Sequence, residues 1–546
     1  MKKLFSRVFQ YVLLLTAFLF TRQAGADDHG DPADSLSAYH WIHLDPGDDH
    51  VAGIGLNKAY QLLEGRPSRK VLVAVIDSGF DLDHLDLDHK FWTNPDEIPD
   101  NGVDDERNGY VDDINGWNFI GGEKGNVVYD NYELTREYMR LSQKYGIVEE
   151  GSGDEYNYWT EIKNKYETGL MEAKIASAKY RAILNNIPRY YELLENYLDV
   201  DSLSYDRVVA ITTEDSVIEA AASLIGKLLN YFGDDASASS MVEAMEKGFS
   251  HYEYELNYGY NQEFDPRAVV NDDYENKKER YYGNRKVSDY SGEMGSHGTH
   301  VAGIIASIRD NNMGAIGIAD NVEIMALRTV PNGDERDKDV ANAIYYAVDN
   351  GASVINMSFG KSYSPDRMIV EKAIRYAEKK DVLIVHAAGN DAENKDLIMN
   401  YPTRQFIHGK REASNMIEVA ASSRYLDDRL TAKFTNYGKT TVDLFAPGVG
   451  VYSSIPGNKY KVSSGTSMAS PVVAGVAALL RSYFPDLTAR ETREVLLQSA
   501  VPYDGEVYLP GTDEKVPFSD LSISGGVVNA YEAVKIAQNK IKLNSR

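Results

Sequence analysis

The sequence predicts an α/β protein: a mostly parallel central sheet with helices on both faces, plus an α-helical insertion. Three observations predict it. Short β-rich apolar runs alternate with helical patterns, the order that builds a parallel sheet covered on both sides. A central block changes to a composition rich in Tyr, Glu, Lys and Asn, with apolar residues recurring at three and four. At 546 residues, 43% of them hydrophobic, the chain has enough length for two or three domains and a large core.

Taken in order, the chain opens with a basic "MKKLFSR", an apolar "VFQYVLLLTAFLF" too short to span a bilayer comfortably, and Ala24-Gly25-Ala26, the small-residue pattern that a signal peptidase cuts. Residues 1–26 are therefore expected to be a signal peptide. The mature chain, starting near Asp27, is expected to be exported, periplasmic or extracellular, with no stable membrane insertion after signal removal. Residues 27–50 form a short N-terminal extension, too short for an independent folding unit. Residues 51–120 carry the first strand run, "KVLVAVID", among acidic turns.

Residues 121–290 are the helical insertion. Its "YWTEIKNKYETGLMEAKIASAKYRAILNNIPRYYELLENYLDV" and "SVIEAAASLIGKLLNYF" read as amphipathic helices, and it holds more than half of the 38 tyrosines. The heptads are not sustained, which favours a small helical subdomain over a coiled coil. From 291 to 538 the strand runs "VEIMALRTV", "ASVINMSFG", "DVLIVHAAGN" and "NMIEVAAS" alternate with helical patterns such as "DVANAIYYAVDNG", and 539–546 are a C-terminal tail.

Composition removes several functions. The 57 basic and 83 acidic residues leave a net charge of −26, which repels nucleic-acid phosphates and anionic membranes and suits divalent cations. Nucleic acid is excluded as a partner. With no cysteine, there is no disulfide framework, thiolate zinc site or cysteine nucleophile.

Ligands of open α/β sheets bind at the carboxyl ends of the strands, so the polar residues there are the candidates. Asp77 follows six apolar residues and needs a partner once half buried. His297, in "GSHGTHVAGIIASI", sits where a glycine-rich turn enters an apolar helix. Asn390 ends "VHAAGN" behind Gly389, which permits an unusual backbone. In "SGTSMASPVVAGVAALL", Ser467 lies at the start of a helix whose small residues mark it as buried all round, and Pro471 fits its first turn. A hydroxyl there has free N–H groups and the helix dipole beside it, a setting for a nucleophile with an oxyanion site. Taken singly, Asp77 also fits a turn, His297 a packed ring and Ser467 an ordinary N-cap, and His297 with His300 has the spacing of two metal ligands.

Together and in this order, "VIDSG", "HGTHVAG", "AAGN" and "GTSMASPVVAG" resemble the four signatures of the subtilisin-like serine peptidases, the subtilases. The resemblance covers about residues 50–120 and 291–535. It implies the three-layer subtilisin-like fold and a serine endopeptidase that hydrolyses protein or peptide substrates through an acyl-enzyme, with no cofactor for catalysis. It also implies Asp77 as the group that orients the imidazole, His297 as general base, Ser467 as nucleophile and Asn390 as oxyanion donor. "NMSFG" is similar to the family's substrate-binding strand, with Ser358, Phe359 and Gly360 along one wall of the main specificity pocket, and "NYPT" resembles the opposite wall. Asp77 and His297 stand 220 residues apart, far more than is usual in the family.

Structural calcium is expected at two places. Asp104, Glu106 and Asn108 alternate before Gly109, and Asp112 and Asp113 follow, as in oxygen-rich calcium loops; Asp86 and Asn311 match family positions that hold a calcium. Two other readings compete: a catalytically dead subtilase fold used for binding, and a metallopeptidase using the histidines.

Overall fold

A computed structural model describes residues 39–147, 151–289, 294–407 and 411–544. The expected signal peptide, 1–26, and the extension up to residue 38 lie outside the described residues. Nine strands make the main sheet: β1 (Val71–Asp77), β2 (Gly116–Asn118), β3 (Val322–Arg328), β4 (Val354–Met357), β5 (Leu383–Ala387), β6 (Met416–Ser422), β7 (Leu444–Pro447), β8 (Val501–Pro502) and β9 (Gly526–Val527). Their order is β8-β9-β7-β6-β5-β4-β1-β3-β2, and every neighbouring pair is parallel except β8 with β9 at the edge.

Strand side chains alternate between the two faces, and the two cores record that alternation. Val71, Val73 and Val75 enter one core, Ala74 and Ile76 the other. The first core takes the helices Gly295–Ala306, Thr466–Tyr483 and Ala530–Asn544; the second takes Asp337–Asp349 and Arg367–Lys379. This is the three-layer arrangement that continuous apolar strand runs require. Every residue from Met468 to Phe484 is buried, because the helix Thr466–Tyr483 runs through the middle of the first core.

The described chain divides into two compact units, one of residues 134–264 and one of residues 39–133 with 265–544. The smaller is helical, with Asp154–Leu198, Ser216–Phe232 and Ala238–Tyr254 packed around Ile187, Leu194, Ile225, Leu229 and Met241. Its tyrosines pack on one another: the Tyr138 and Tyr166 rings stack with centroids 4.0 Å apart. In the larger unit the helix Ala530–Asn544 continues through residues 539–544.

Candidate active site

The carboxyl ends of β1, β4 and β5 gather the residues singled out by the sequence. Asp77 shares the parity of Val73 and Val75, so it faces the layer that contains the helix Gly295–Ala306. Its Oδ1 accepts from His297 Nδ1 at 2.8 Å and from the Ser78 N–H at 2.8 Å. A carboxylate can only accept here, which fixes the proton on Nδ1 and leaves Nε2 as the ring's basic atom. The Asp77 side chain is 2% exposed and that of His297 40%, so the charge is sheltered while the working face of the imidazole is open. Burial disfavours the imidazolium, but the Asp77 carboxylate, through charge and hydrogen bond, more than offsets it and holds the His297 pKa above its ordinary value.

Strand β4 lies beside β1, with Ile76 paired to Met357, so Asp77 and Ser358 are neighbours at the sheet's edge of action. Ser358 is in turn tied to Ser467: its Oγ donates to the Ser467 carbonyl at 2.9 Å, and the Ser467 Oγ donates to the Ser358 carbonyl at 3.1 Å. Behind them Ser470 Oγ donates to Asn356 Oδ1 at 2.8 Å, and Asn356 Nδ2 to Ser358 Oγ at 2.9 Å. Among the described residues no hydrogen bond joins His297 to Ser467, since the one hydroxyl proton is directed at Ser358. Rotation about a single side-chain bond redirects it, and such bonds commonly form only when substrate is present.

Asn390 reaches the same place from β5. Gly389 just before it has φ 107, a conformation open mainly to glycine, and this turns the chain toward the start of the helix Thr466–Tyr483. Both the Thr466 N–H and the Thr466 hydroxyl end on Asn390 Oδ1, at 2.8 and 3.0 Å, so the amide's NH2 is left as the outward donor. The Ser467 N–H lies in the first turn of the helix, where no acceptor exists one turn back. Thr466 had no assigned role in the sequence reading; its signal was only its place between Gly465 and Ser467.

His300 does not share the direction of His297. It is 1% exposed, its Nε2 bonds the Lys461 carbonyl at 3.0 Å, and burial lowers its pKa to about 4. Phe359 is partly buried with its ring packed against the second core, and its carbonyl accepts from His386 Nε2 at 2.8 Å. His386 Nδ1 and Lys395 Nζ both reach Glu418 Oε2, at 3.0 and 2.8 Å, in a buried triad that the sequence reading missed. A lone histidine inside the apolar run "VLIVHAAGN" was its one visible trace.

The expected calcium residues separate into groups. Glu106 and Asp113 come together with Glu97, their ligand atoms within 4.8 Å of one another. Glu97 Oε2 and Glu106 Oε2 are buried with no hydrogen-bond partner, which suits a hard cation. Burial and the adjacent Glu106 push Glu97 up to about 7, and burial pushes Asp113 up to about 6. Asp104 instead caps the N–H groups of Asn108 and Gly109, Asp112 accepts from those of Asn101 and Gly102, and Asn108 donates its amide to Glu106 and Asp113. Asp86 and Asn311 do meet, but through the Asn311 NH2, which donates to Asp86 Oδ1 at 2.7 Å; Ala315 N–H holds Oδ2 at 2.9 Å.

The profile of the subtilase family matches residues 68–526. The chain belongs to this family. Among curated relatives, the subtilase is 40% identical over 243 residues to a thermophilic serine proteinase of Bacillus sp. strain AK1, covering 44% of this chain and 53% of that protein. It is 35% identical over 240 residues to thermitase of Thermoactinomyces vulgaris, covering 44% of this chain and 75% of thermitase. Subtilisin DY of Bacillus licheniformis is 34% identical over 221 residues, or 40% and 75% of the two chains. The match thus spans about half of the Bacillus AK1 relative. Among the described residues of the subtilase, no helix is long and apolar enough to cross a membrane.

Proposed function

We propose that this subtilase is a serine endopeptidase acting outside the cytoplasm, with Asp77, His297 and Ser467 as its triad. The carrying observation is the 2.8 Å bond from His297 Nδ1 to Asp77, at a strand end adjoining Ser358, which is itself bonded to Ser467. In the reaction, His297 Nε2 takes the Ser467 proton as Oγ attacks the scissile carbonyl, and Asp77 stabilises the imidazolium that forms. The oxyanion lies between the Asn390 NH2 and the Ser467 N–H, whose positions support that role. His297 then gives its proton to the leaving amine, and water enters by the reverse route to release the acyl group.

The peptide runs along Ser358–Gly360. In this reading residues 39–133 and 265–544 make up the catalytic domain, and the helical unit 134–264, shorter at both ends than the expected insertion 121–290, is inserted between the Asp77 and His297 motifs. The export signal is the segment 1–26. No cofactor takes part in the chemistry; a calcium held by Glu97, Glu106 and Asp113 serves the fold alone, and the orphaned oxygens there support it. An activated ester tests the acyl-enzyme: wild type should release a burst of alcohol equal to the enzyme concentration, and Ser467→Ala should release none. Hydrolysis by Ser467→Ala at the wild-type rate would sink the reading.

A further inference from the structure

We propose that His386 is a positioning residue for the peptide-binding segment: held as a buried imidazolium by Glu418, it grips the Phe359 carbonyl and fixes the edge on which substrate pairs. The inference rests on the peptidase reading above and deepens it at the same site.

Sheet order brings the pieces together. Met357, His386 and Glu418 stand in one row across β4, β5 and β6. His386 has the parity of Ile384 and Glu418 that of Met416, so both side chains enter the second core. There they are dry, at 0% and 2% exposed. His386 Nδ1 lies 3.0 Å from Glu418 Oε2, and its Nε2 lies 2.8 Å from the Phe359 carbonyl oxygen. A carboxylate and a carbonyl can only accept, so both ring nitrogens donate and the ring carries two protons and a positive charge. Burial would raise Glu418, yet Lys395 and His386 hold its carboxyl at about 2, which makes it the ionised partner. A buried cation with a fixed counter-charge holds a carbonyl more strongly than a neutral donor does.

The Phe359 carbonyl needs such a holder. Pairing of β4 with β5 ends at Met357 with His386, so Ser358–Gly360 runs on beyond the ladder. One end of this segment is tied to the serine helix by the two bonds between Ser358 and Ser467, at 2.9 and 3.1 Å. The other end is tied at Lys361, whose N–H donates to the Tyr401 carbonyl at 3.0 Å while the Tyr401 N–H returns the bond at 2.8 Å. His386 supplies the tie between them. Carbonyls of an extended chain point alternately to opposite edges, so drawing that of Phe359 toward β5 leaves those of Ser358 and Gly360 for an added strand. Lys395, on the same Glu418 oxygen at 2.8 Å, lies five residues past Asn390, so one carboxylate anchors both the peptide-binding segment and the loop behind the oxyanion donor.

The test compares two substrates in wild type, His386→Gln and His386→Leu: a tetrapeptide nitroanilide, which reaches along Ser358–Gly360, and a short activated ester, which does not. Rates are taken per active site titrated with a fluorophosphonate, which corrects each variant for misfolded protein. His386→Leu should lose about tenfold to a hundredfold in kcat/KM on the tetrapeptide and less than about threefold on the ester; His386→Gln, whose amide keeps a donor for Phe359, should fall between it and wild type. Ring nitrogen NMR of the wild type at neutral pH should show both His386 nitrogens protonated, the signals being assigned by their loss in His386→Gln. If His386→Leu yields no titratable site, the His386→Gln comparison and the wild-type spectrum decide. Equal losses on both substrates, no loss on either, or a His386 ring with a single proton overturns the His386 assignment alone. Wild type that neither reacts with the probe nor cleaves the tetrapeptide brings down the peptidase reading, and this one with it.

Discussion

Thr466 fixes the direction of the Asn390 amide, because its N–H and its hydroxyl both donate to Asn390 Oδ1, at 2.8 and 3.0 Å. A backbone N–H cannot accept, so the amide oxygen must face Thr466 and the NH2 must face the cleft. In the proposed mechanism, the residue beside Ser467 thereby sets the donor that meets the developing negative charge.

Asn390→Ala should reduce kcat by about a hundredfold to a thousandfold, a magnitude carried over from subtilisin, with KM little changed because the amide meets charge only in the transition state. Thr466→Val keeps the backbone donor and removes the hydroxyl, so about a tenfold loss in kcat is expected, and Thr466→Ser should restore most of it. Steady-state kinetics on one chromogenic peptide check both. A change confined to KM would contradict the assignment of the two residues.

Since Asp77 raises the His297 pKa, the acidic limb of kcat/KM should show an apparent pKa above the free-histidine value of about 6.5. The stability contribution runs the other way. The folded state favours protonated His297, so the stabilisation is full below the ordinary pKa and is lost as pH rises through the folded one. The proposed mechanism needs neutral His297, so activity is expected in the range where this pair no longer adds to stability. Asp77→Asn should lower the apparent pKa of whatever activity survives; an unmoved limb would mean that another group titrates.

Burial alone would raise the Glu418 pKa, but Lys395 and His386 lower it from 4.5 to about 2. Its contribution is therefore present above the ordinary value and is lost as pH falls through about 2. At neutral pH, Glu418→Gln leaves Lys395 buried without its counter-charge and should cost about 3 kcal/mol in urea unfolding. A cost below about 1 kcal/mol, the range of exposed pairs, would show that the triad is not sheltered as described.

Chelation should lower the melting temperature without altering the chemistry itself, because a cation that binds only the folded state stabilises it with the logarithm of its concentration. Glu97→Gln should abolish that dependence, whereas Asp104→Asn, at a residue engaged in capping a turn, should retain it. Calorimetry with and without chelator separates the two.

What the sequence reveals and what it hides follow from the range of each interaction. The strand runs ending at Asp77, Met357 and Ala387 are legible because alternation and apolar content are local, and the glycine-rich turns at Gly389 and Gly465 announce themselves for the same reason. The amphipathic segments around Ile187 and Ile225 are legible from their period. Glu97 escaped because its carboxylate partners, Glu106 and Asp113, approach only when the acidic loop folds back on itself. Lys395 and Glu418 lie on separate segments that meet His386 through sheet order, which no local pattern encodes. Asp104 and Asp112 match a calcium-loop spacing, yet their oxygens cap backbone N–H groups, an equally local use of the same residues.

Labelling with a fluorophosphonate probe followed by peptide mapping decides whether Ser467 is a nucleophile activated by His297, as proposed. Wild type should carry one modified residue, Ser467, and Ser467→Ala none; labelling should be slowed by orders of magnitude in His297→Ala, with the Asp77→Ala and His297→Ala double variant little worse than the slower single one. Label on a different residue, or labelling of His297→Ala at the wild-type rate, would contradict it.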